Sequence, residues 1–215
     1  MSRILGWLAA LGLAAGMIMA FGVAPREVTQ GNVQRIMYLH VPTVLVAYLA
    51  FAVVFVASIA YLWRRDPAAD RLAHASAEVG VLFTGLTIAA GAIWGKPTWG
   101  TWWTWDARLT SVAILFVMYL GYLLLRGMIE DGERAARYSA VVGIVAALDI
   151  PFVHFSVYWW RTLHQPPSLL KPGPASMPEG ILAALLVNVA AFALLYAYFV
   201  AKRVIVLRRE EEVLA

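Results

Sequence analysis

The chain has 215 residues, of which 62% are hydrophobic and only 14% are charged, and its mean hydropathy is +0.73. Because soluble domains carry about 25% charged residues, this composition excludes an ordinary soluble domain and indicates an integral membrane protein. The chain has no cysteine, which excludes disulfides, thiolate metal sites and C-x-x-C-H cofactor attachment on this chain. The net charge of +4 gives no indication of nucleic acid binding.

Six long apolar segments follow one another along the chain, and each is long enough to cross a hydrocarbon layer of about 30 Å. They cover residues 4–23, 39–63, 72–94, 109–125, 138–160 and 181–201. Charged segments separate most of them, and the prolines of residues 161–178 exclude a continuous helix there. The sequence therefore predicts an all-α integral membrane protein, a single domain of six transmembrane helices that covers residues 1–215.

The distribution of lysine and arginine between alternate loops predicts the orientation of these helices. One side of the membrane carries eleven of these residues and the other side carries six. Because cytoplasmic loops are enriched in lysine and arginine, the richer side is predicted to be cytoplasmic. Both termini are then cytoplasmic, and the loop between helices 3 and 4 is external.

That external loop is predicted to be rich in tryptophan, because the stretch from residue 94 to residue 108 reads WGKPTWGTWWTWDAR. An indole offers a wide apolar face with one N–H at its edge, so a cluster of indoles suits a large, flat, partly polar ligand. The alternative is an aromatic belt, since tryptophan is enriched at membrane interfaces. A belt accounts for two or three tryptophans better than for the five in this stretch.

Two histidines are predicted to lie on the same external face as the tryptophans. His40 opens the second helix just before Pro42, and His164 follows the fifth helix in the proline-rich segment. Two imidazoles on opposite sides of a flat ring are one way of holding a porphyrin iron. Individually, His40 also fits an interfacial or capping residue, and His164 also fits a solvated loop residue.

Three basic residues are predicted to lie on this face and are candidates to bind the carboxylates of a porphyrin. They are Lys96, Arg108 and Arg161. Lys96 and Arg108 also fit anchors to lipid phosphates. Asp106 directly precedes the fourth helix, where a carboxylate is suited to an N-terminal cap.

Other polar residues fall inside the predicted spans. A carboxylate at a helix centre costs about 2.5–3.5 kcal/mol on insertion, so Asp149 is expected to be paired, protonated or beside a wet cavity. We favour a packing role for Asp149 and regard His154 as a weaker candidate ligand than His164. Asn188 is predicted to form an interhelical hydrogen bond, and His74 and Glu78 are predicted to reach the cytoplasmic surface.

The motifs on the external face resemble those of a known family. Residues 99–106, WGTWWTWD, resemble the tryptophan-rich WWD segment of the haem-handling proteins of cytochrome c biogenesis, and the longer run WGKPTWGTWWTWDARLT is similar to the six-span CcmC family. The segments YLHVP around His40 and YWWRTLHQ around His164 resemble the two external histidine motifs of that family. The similarity extends from about residue 30 to about residue 200.

The resemblance implies a function, a site and partners. It implies transient, non-covalent binding of b-type haem at the external face of the bacterial inner membrane and delivery to the periplasmic haem chaperone CcmE. Further implied partners are the ATP-binding-cassette proteins CcmA and CcmB and the small subunit CcmD. His40 and His164 are the implied iron ligands. The remaining candidate haem-binding residues are Lys96, Trp99, Gly100, Trp102, Trp103, Trp105, Asp106, Arg108, Trp159 and Arg161.

Two other functions fit part of the same pattern. A resident b-type cytochrome for electron transfer would use His40 and His154 as its ligand pair. A permease that exports haem would use Asp149 and His154 along its path, although no chain of polar residues crosses all the spans. The sequence leaves open whether the chain assists covalent attachment of haem to the chaperone or only presents it.

Overall fold

The structure, a computed structural model, describes residues 2–214. Its α-helices in chain order are α1 (Ser2–Ile18), α2 (Met37–Arg64), α3 (Pro67–Trp99), α4 (Ala107–Met128), α5 (Gly132–Ala147), α6 (Asp149–Trp159) and α7 (Glu179–Leu214). A π-helical turn, Met19–Val23, extends α1, and a 3-10 turn, Val33–Ile36, precedes α2. Residues 2–214 contain no β-strand, and six helical stretches are long and apolar enough to span a membrane. The predicted all-α class with six transmembrane helices is confirmed.

The third helix is longer than the sequence pattern predicted. It continues to Trp99, so Trp94, Lys96 and Trp99 belong to its last turns and not to the loop. Gly100, with a φ of 79°, ends the helix by donating its backbone N–H to the Lys96 carbonyl at 3.0 Å. Glycine suits this position because the left-handed conformation costs it no steric strain. The non-helical part of the tryptophan-rich stretch is therefore only residues 100–106.

The predicted fifth span consists of two helices, α5 and α6, that meet at Leu148. Pro151 explains the interruption, because a proline inside a helix lacks an N–H and its ring clashes with the carbonyl four residues earlier, here that of Ala147. The charged segments before and after these spans are also mostly helical: residues 126–137 were predicted as a loop, but α5 begins at Gly132, and residues 202–215 were predicted as a charged tail, but α7 continues to Leu214. No helix forms in residues 160–178, as their prolines predicted.

Helix α2 lies at the centre of the bundle and packs against α3, α5 and α7, while α1 packs mainly against α7. Asn188 of α7 donates its side-chain N–H to the Gly16 carbonyl of α1 at 3.0 Å, which confirms the predicted interhelical hydrogen bond. A Cβ on Gly16 would lie 2.5 Å from the Asn188 side-chain oxygen, so the glycine permits this approach. The single-domain assignment and the cytoplasmic placement of both termini stay predictions.

Ion pairs tie the helices together at the end of the bundle where α2 turns into α3. Asp70 of α3 and Arg126 of α4 form a bidentate, largely buried pair, with one N–H···O distance of 2.7 Å. On the same helix Glu78 accepts from Arg203 of α7, at 2.9 Å from Nη2, and lies 3.2 Å from His74. Glu78 therefore joins α3 to α7 through Arg203, with His74 of α3 beside it. The predicted reach of His74 and Glu78 to the cytoplasmic surface stays a prediction.

Replacing Asp70 with alanine is expected to destabilise the helix bundle by about 3 kcal/mol, because it leaves the Arg126 guanidinium buried without its partner. Thermal or denaturant unfolding of the purified protein in detergent measures this loss. Glu212→Ala removes the partner of Arg208 in an exposed pair and is expected to cost less than about 1 kcal/mol. Equal losses in the two variants would contradict the importance of the buried pair.

Candidate functional site

His40 is held in a fixed orientation between α2 and α3. It is the fourth residue of α2 and is only 9% exposed, so it is buried and does not cap the helix. Its Nδ1 lies 3.1 Å from the Thr87 carbonyl of α3. Because a carbonyl only accepts, Nδ1 carries the proton and the lone pair of the neutral ring is on Nε2. A histidine that binds a metal through Nε2 usually donates its other ring N–H to a carbonyl or carboxylate in this way.

His164 has the same local pattern on a non-helical segment. Its Nδ1 lies 2.8 Å from the Gln165 carbonyl, so its lone pair is also on Nε2. Burial, with a further contribution from the positive charge of Arg108, lowers the pKa of His164 to about 4, against the opposing effects of the Gln165 carbonyl and Asp106. The imidazole is therefore neutral at pH 7, which is the form that binds a metal.

The two imidazoles lie close to each other. Their ring centroids are 6.5 Å apart and their planes are inclined by 36°. Metal–imidazole bonds of about 2 Å on each side of an iron place the two ring centroids about 6 Å apart. The observed centroid distance is therefore close to that of two imidazoles bound to one metal. Within residues 2–214 there is no cluster of three or more His, Asp or Glu side chains that could hold a metal ion.

Two adjoining cavities surround the histidine pair. The larger one holds about 880 Å³ of empty space, counting the part open to solvent, and lies among α2, α3, α4 and α6. The smaller one holds about 660 Å³ counted in the same way and extends toward α7 and the proline-rich segment. Both cavities are lined by His40, Tyr48, Trp94, Arg108 and His164. A broad, flat molecule centred between the histidines could extend into both spaces.

The tryptophans divide into two groups. Trp94, Trp99 and Trp103 line the larger cavity. Trp94 packs edge-on against His40 with 5.8 Å between centroids, and the Trp99 ring lies 5.9 Å from that of His164. The other two, Trp102 and Trp105, are 57% and 78% exposed and line neither cavity.

Asp106 connects two parts of the site. Its Oδ1 accepts the Leu109 N–H at 2.9 Å and so caps α4, as the sequence predicted. Its Oδ2 accepts the Leu163 N–H at 3.0 Å. Asp106 therefore fixes the segment that carries His164 to the start of α4, although it lines neither cavity itself.

The remaining candidate residues are placed unequally. Arg108 is buried and lines both cavities. Lys96 donates to the Gly100 carbonyl at 3.0 Å at the end of α3, and it lines neither cavity. Gly100, Trp159 and Arg161 are exposed and also line neither cavity. The structure therefore brings together five of the candidates, which are His40, Trp99, Trp103, Arg108 and His164.

Sequence reasoning overlooked several residues of this site. Thr87 orients His40, and Gly91 makes room for it, because a Cβ on Gly91 would lie 2.9 Å from His40 Cε1. Tyr48 lines both cavities. The only sequence signal for any of them is the small-residue spacing Gly91-x-x-x-Gly95 in α3, which is typical of close packing in membrane helices.

Together the fold and the site define a multi-pass α-helical membrane protein with an apolar cavity that presents two imidazoles and a buried guanidinium near one end of its helix bundle. The chain belongs to the CcmC family, because the family model described as Heme exporter protein C matches residues 1–215.

Individual relatives agree with this membership. The chain is 44% identical to Heme exporter protein C of Bradyrhizobium diazoefficiens in an alignment 215 positions long, which covers 97% of this chain and 81% of the relative. It is 37% identical to Heme exporter protein C of Haemophilus influenzae over 198 residues, which cover 92% and 80%. A mitochondrial protein of Marchantia polymorpha, described as ccmC-like and assigned to cytochrome c biosynthesis, is 35% identical over 187 residues, which cover 87% and 79%. Membership therefore supports a haem-handling role in cytochrome c biogenesis.

Proposed function

We propose that the chain binds haem between His40 and His164 at the external face of the bacterial inner membrane and delivers it to a periplasmic haem chaperone of the CcmE type. The observation that carries this proposal is the histidine pair, whose centroids are 6.5 Å apart and whose Nε2 atoms are both left free by Nδ1–H bonds to backbone carbonyls. Haem is the cargo of this process, and its iron supplies the two coordination positions that the imidazoles fill.

Other residues of the cavity have separate proposed roles. Trp99 and Trp103 cover the apolar faces of the macrocycle, and Arg108 binds a haem carboxylate, because an arginine fork matches a carboxylate in a bidentate manner. Asp106 holds the His164 segment in place. The exposed rings of Trp102 and Trp105 provide an apolar surface beside the site on which the chaperone can dock.

The two ligands differ in a way that suits release of the cargo. His40 is anchored on a long helix and bonded to a second helix. His164 lies in a segment without regular secondary structure, and its Nδ1–H bond is to the neighbouring residue Gln165. A loop rearranges at lower cost in free energy than a packed helix does. His164 is therefore the ligand expected to dissociate first from the haem iron when the chaperone takes the haem.

The family resemblance adds proposed partners beyond the chaperone. These are the ATP-binding-cassette proteins CcmA and CcmB and the small subunit CcmD, all of which would meet this chain in the membrane. Lys96, Gly100, Trp159 and Arg161 line neither cavity, so a role for them in haem binding would require rearrangement or contact with a partner.

A transfer experiment tests delivery directly. The purified protein in lipid nanodiscs is loaded with haem, mixed with the purified apo domain of the chaperone, and the haem on each protein is followed by absorption after separation. Delivery predicts that haem moves to the chaperone. A chaperone variant without its haem-binding histidine is the control and is expected to gain no covalently bound haem. Haem that stays on the nanodisc protein through mixing would favour the resident b-type cytochrome instead.

A further inference from the structure

Arg108 is a buried cation without a carboxylate partner. It is 9% exposed, and no Asp or Glu oxygen of the described chain lies within 4.0 Å of its guanidinium. Its only side-chain hydrogen bond within residues 2–214 is a long one of 3.5 Å from Nη1 to the His154 carbonyl. A guanidinium has five N–H donors, and a buried charge is costly when its donors are unused. Arg108 lines both cavities, so a ligand in either space can reach it.

A second unused donor lines the same two cavities. Tyr48 is on α2, eight residues beyond His40, which places it about 12 Å deeper along the helix axis. Its hydroxyl is shielded from solvent and has no hydrogen-bond partner among the described residues. Buried tyrosine hydroxyls are usually bonded, as Tyr119 is to the Gly143 carbonyl in this bundle at 3.1 Å. The unbonded hydroxyl of Tyr48 therefore calls for a partner that enters the cavity.

We propose that Tyr48 and Arg108 together form a carboxylate-binding subsite in the membrane interior, and that its occupant is a propionate of the haem. This inference rests on the proposed haem-binding function and adds a residue and an orientation to it. A carboxylate can accept hydrogen bonds from both the Tyr48 hydroxyl and the Arg108 guanidinium. The mainly apolar walls of the cavities suit the apolar remainder of the ligand. The carboxylate edge of the macrocycle then lies inward, and the opposite edge, which carries the vinyl groups, is directed to the outer face, where the chaperone would meet it.

The test compares haem with its dimethyl ester, in which neither propionate is charged or able to accept two charge-assisted hydrogen bonds. Both compounds are titrated into the full chain in nanodiscs, and the affinity is measured from the absorption change. The variants are Tyr48→Phe and Tyr122→Phe. Tyr122 is the matched control, because its hydroxyl is also buried and unbonded among the described residues but lines neither cavity.

The wild type is expected to bind the free acid more tightly than the ester. Tyr48→Phe is expected to weaken binding of the acid by about tenfold, which is the usual effect of losing a hydrogen bond to a charged group, and to leave the ester unchanged. Tyr122→Phe is expected to change neither affinity. The subsite would be overturned if Tyr48→Phe weakened the binding of acid and ester equally, or if this variant still bound the acid as much more tightly than the ester as the wild type does. In either case, haem binding by the two histidines would still support the proposed function. A wild type that binds neither compound would overturn both.

Discussion

Replacing either His40 or His164 with alanine is expected to abolish the bis-imidazole haem spectrum and to lower haem affinity by more than about 100-fold. Removing a residue that is hydrogen-bonded to a metal-binding histidine lowers metal affinity by about 10- to 100-fold, so removing the histidine itself is expected to lower it further. The measurement is an absorption titration of purified protein in nanodiscs, combined with haem staining of the co-expressed chaperone. Both variants are expected to insert and fold, because neither imidazole forms an ion pair within residues 2–214.

Two controls separate ligand loss from a general disturbance. His154→Ala removes an imidazole that lines only the smaller cavity, and it is expected to retain the bis-imidazole spectrum. His164→Gly leaves a space that free imidazole can fill, so adding imidazole is expected to restore the spectrum. Retention of the spectrum in His164→Ala together with its loss in His154→Ala would identify a resident cytochrome with His40 and His154 as ligands.

A larger side chain at position 91 is expected to disrupt haem binding without direct contact with the iron. A Cβ at Gly91 would lie 2.9 Å from His40 Cε1, closer than such contacts occur in proteins. The ring cannot move away without losing the Nδ1 hydrogen bond to Thr87, which is one turn earlier on the same helix. Gly91→Val is therefore expected to lower haem affinity by at least about tenfold, which is the usual effect of losing a hydrogen bond that orients a metal ligand. Absorption titration measures this loss.

Gly85 of the same helix provides a matched control. A Cβ there would meet Phe116 at 3.6 Å, which is an ordinary van der Waals contact. Alanine also stabilises a helix by about 1 kcal/mol relative to glycine, so Gly85→Ala is expected to unfold no more easily than the wild type and to bind haem equally well. Equal haem binding by Gly91→Val and Gly85→Ala would show that the packing against His40 does not position this ligand.

Local sequence features predicted most of the architecture. Each transmembrane helix requires only a continuous apolar run of sufficient length, and such a run can be recognised directly in the sequence. The break in the fifth span shows a limit of this reasoning. Pro151 was visible in the sequence, but whether a proline kinks, breaks or merely begins a helix depends on the packing around it. The extension of α3 through Pro97 to Trp99 was missed for the same reason.

The candidate ligands were likewise identifiable from the sequence, since only four histidines occur in the chain and the motifs around two of them resemble those of a family. Sequence position did not distinguish among the neighbouring cations or tryptophans. Lys96, Arg108 and Arg161 are equivalent in a count of charges, yet only Arg108 is buried in the cavities. Similarly, Trp103 lines the larger cavity while its near neighbours Trp102 and Trp105 are exposed.

The sequence by itself determined that this chain is a six-helix membrane protein and which histidines and tryptophans are candidates for haem binding, because hydrophobic length and short motifs are local properties. Only the tertiary structure decided that the ring centroids of His40 and His164 lie 6.5 Å apart and that Thr87 and Gly91 position His40. It also decided that Tyr48 lines the cavities with a hydroxyl that has no hydrogen-bond partner among the described residues. These relations join residues up to 124 positions apart along the chain, and they are fixed by how the helices pack.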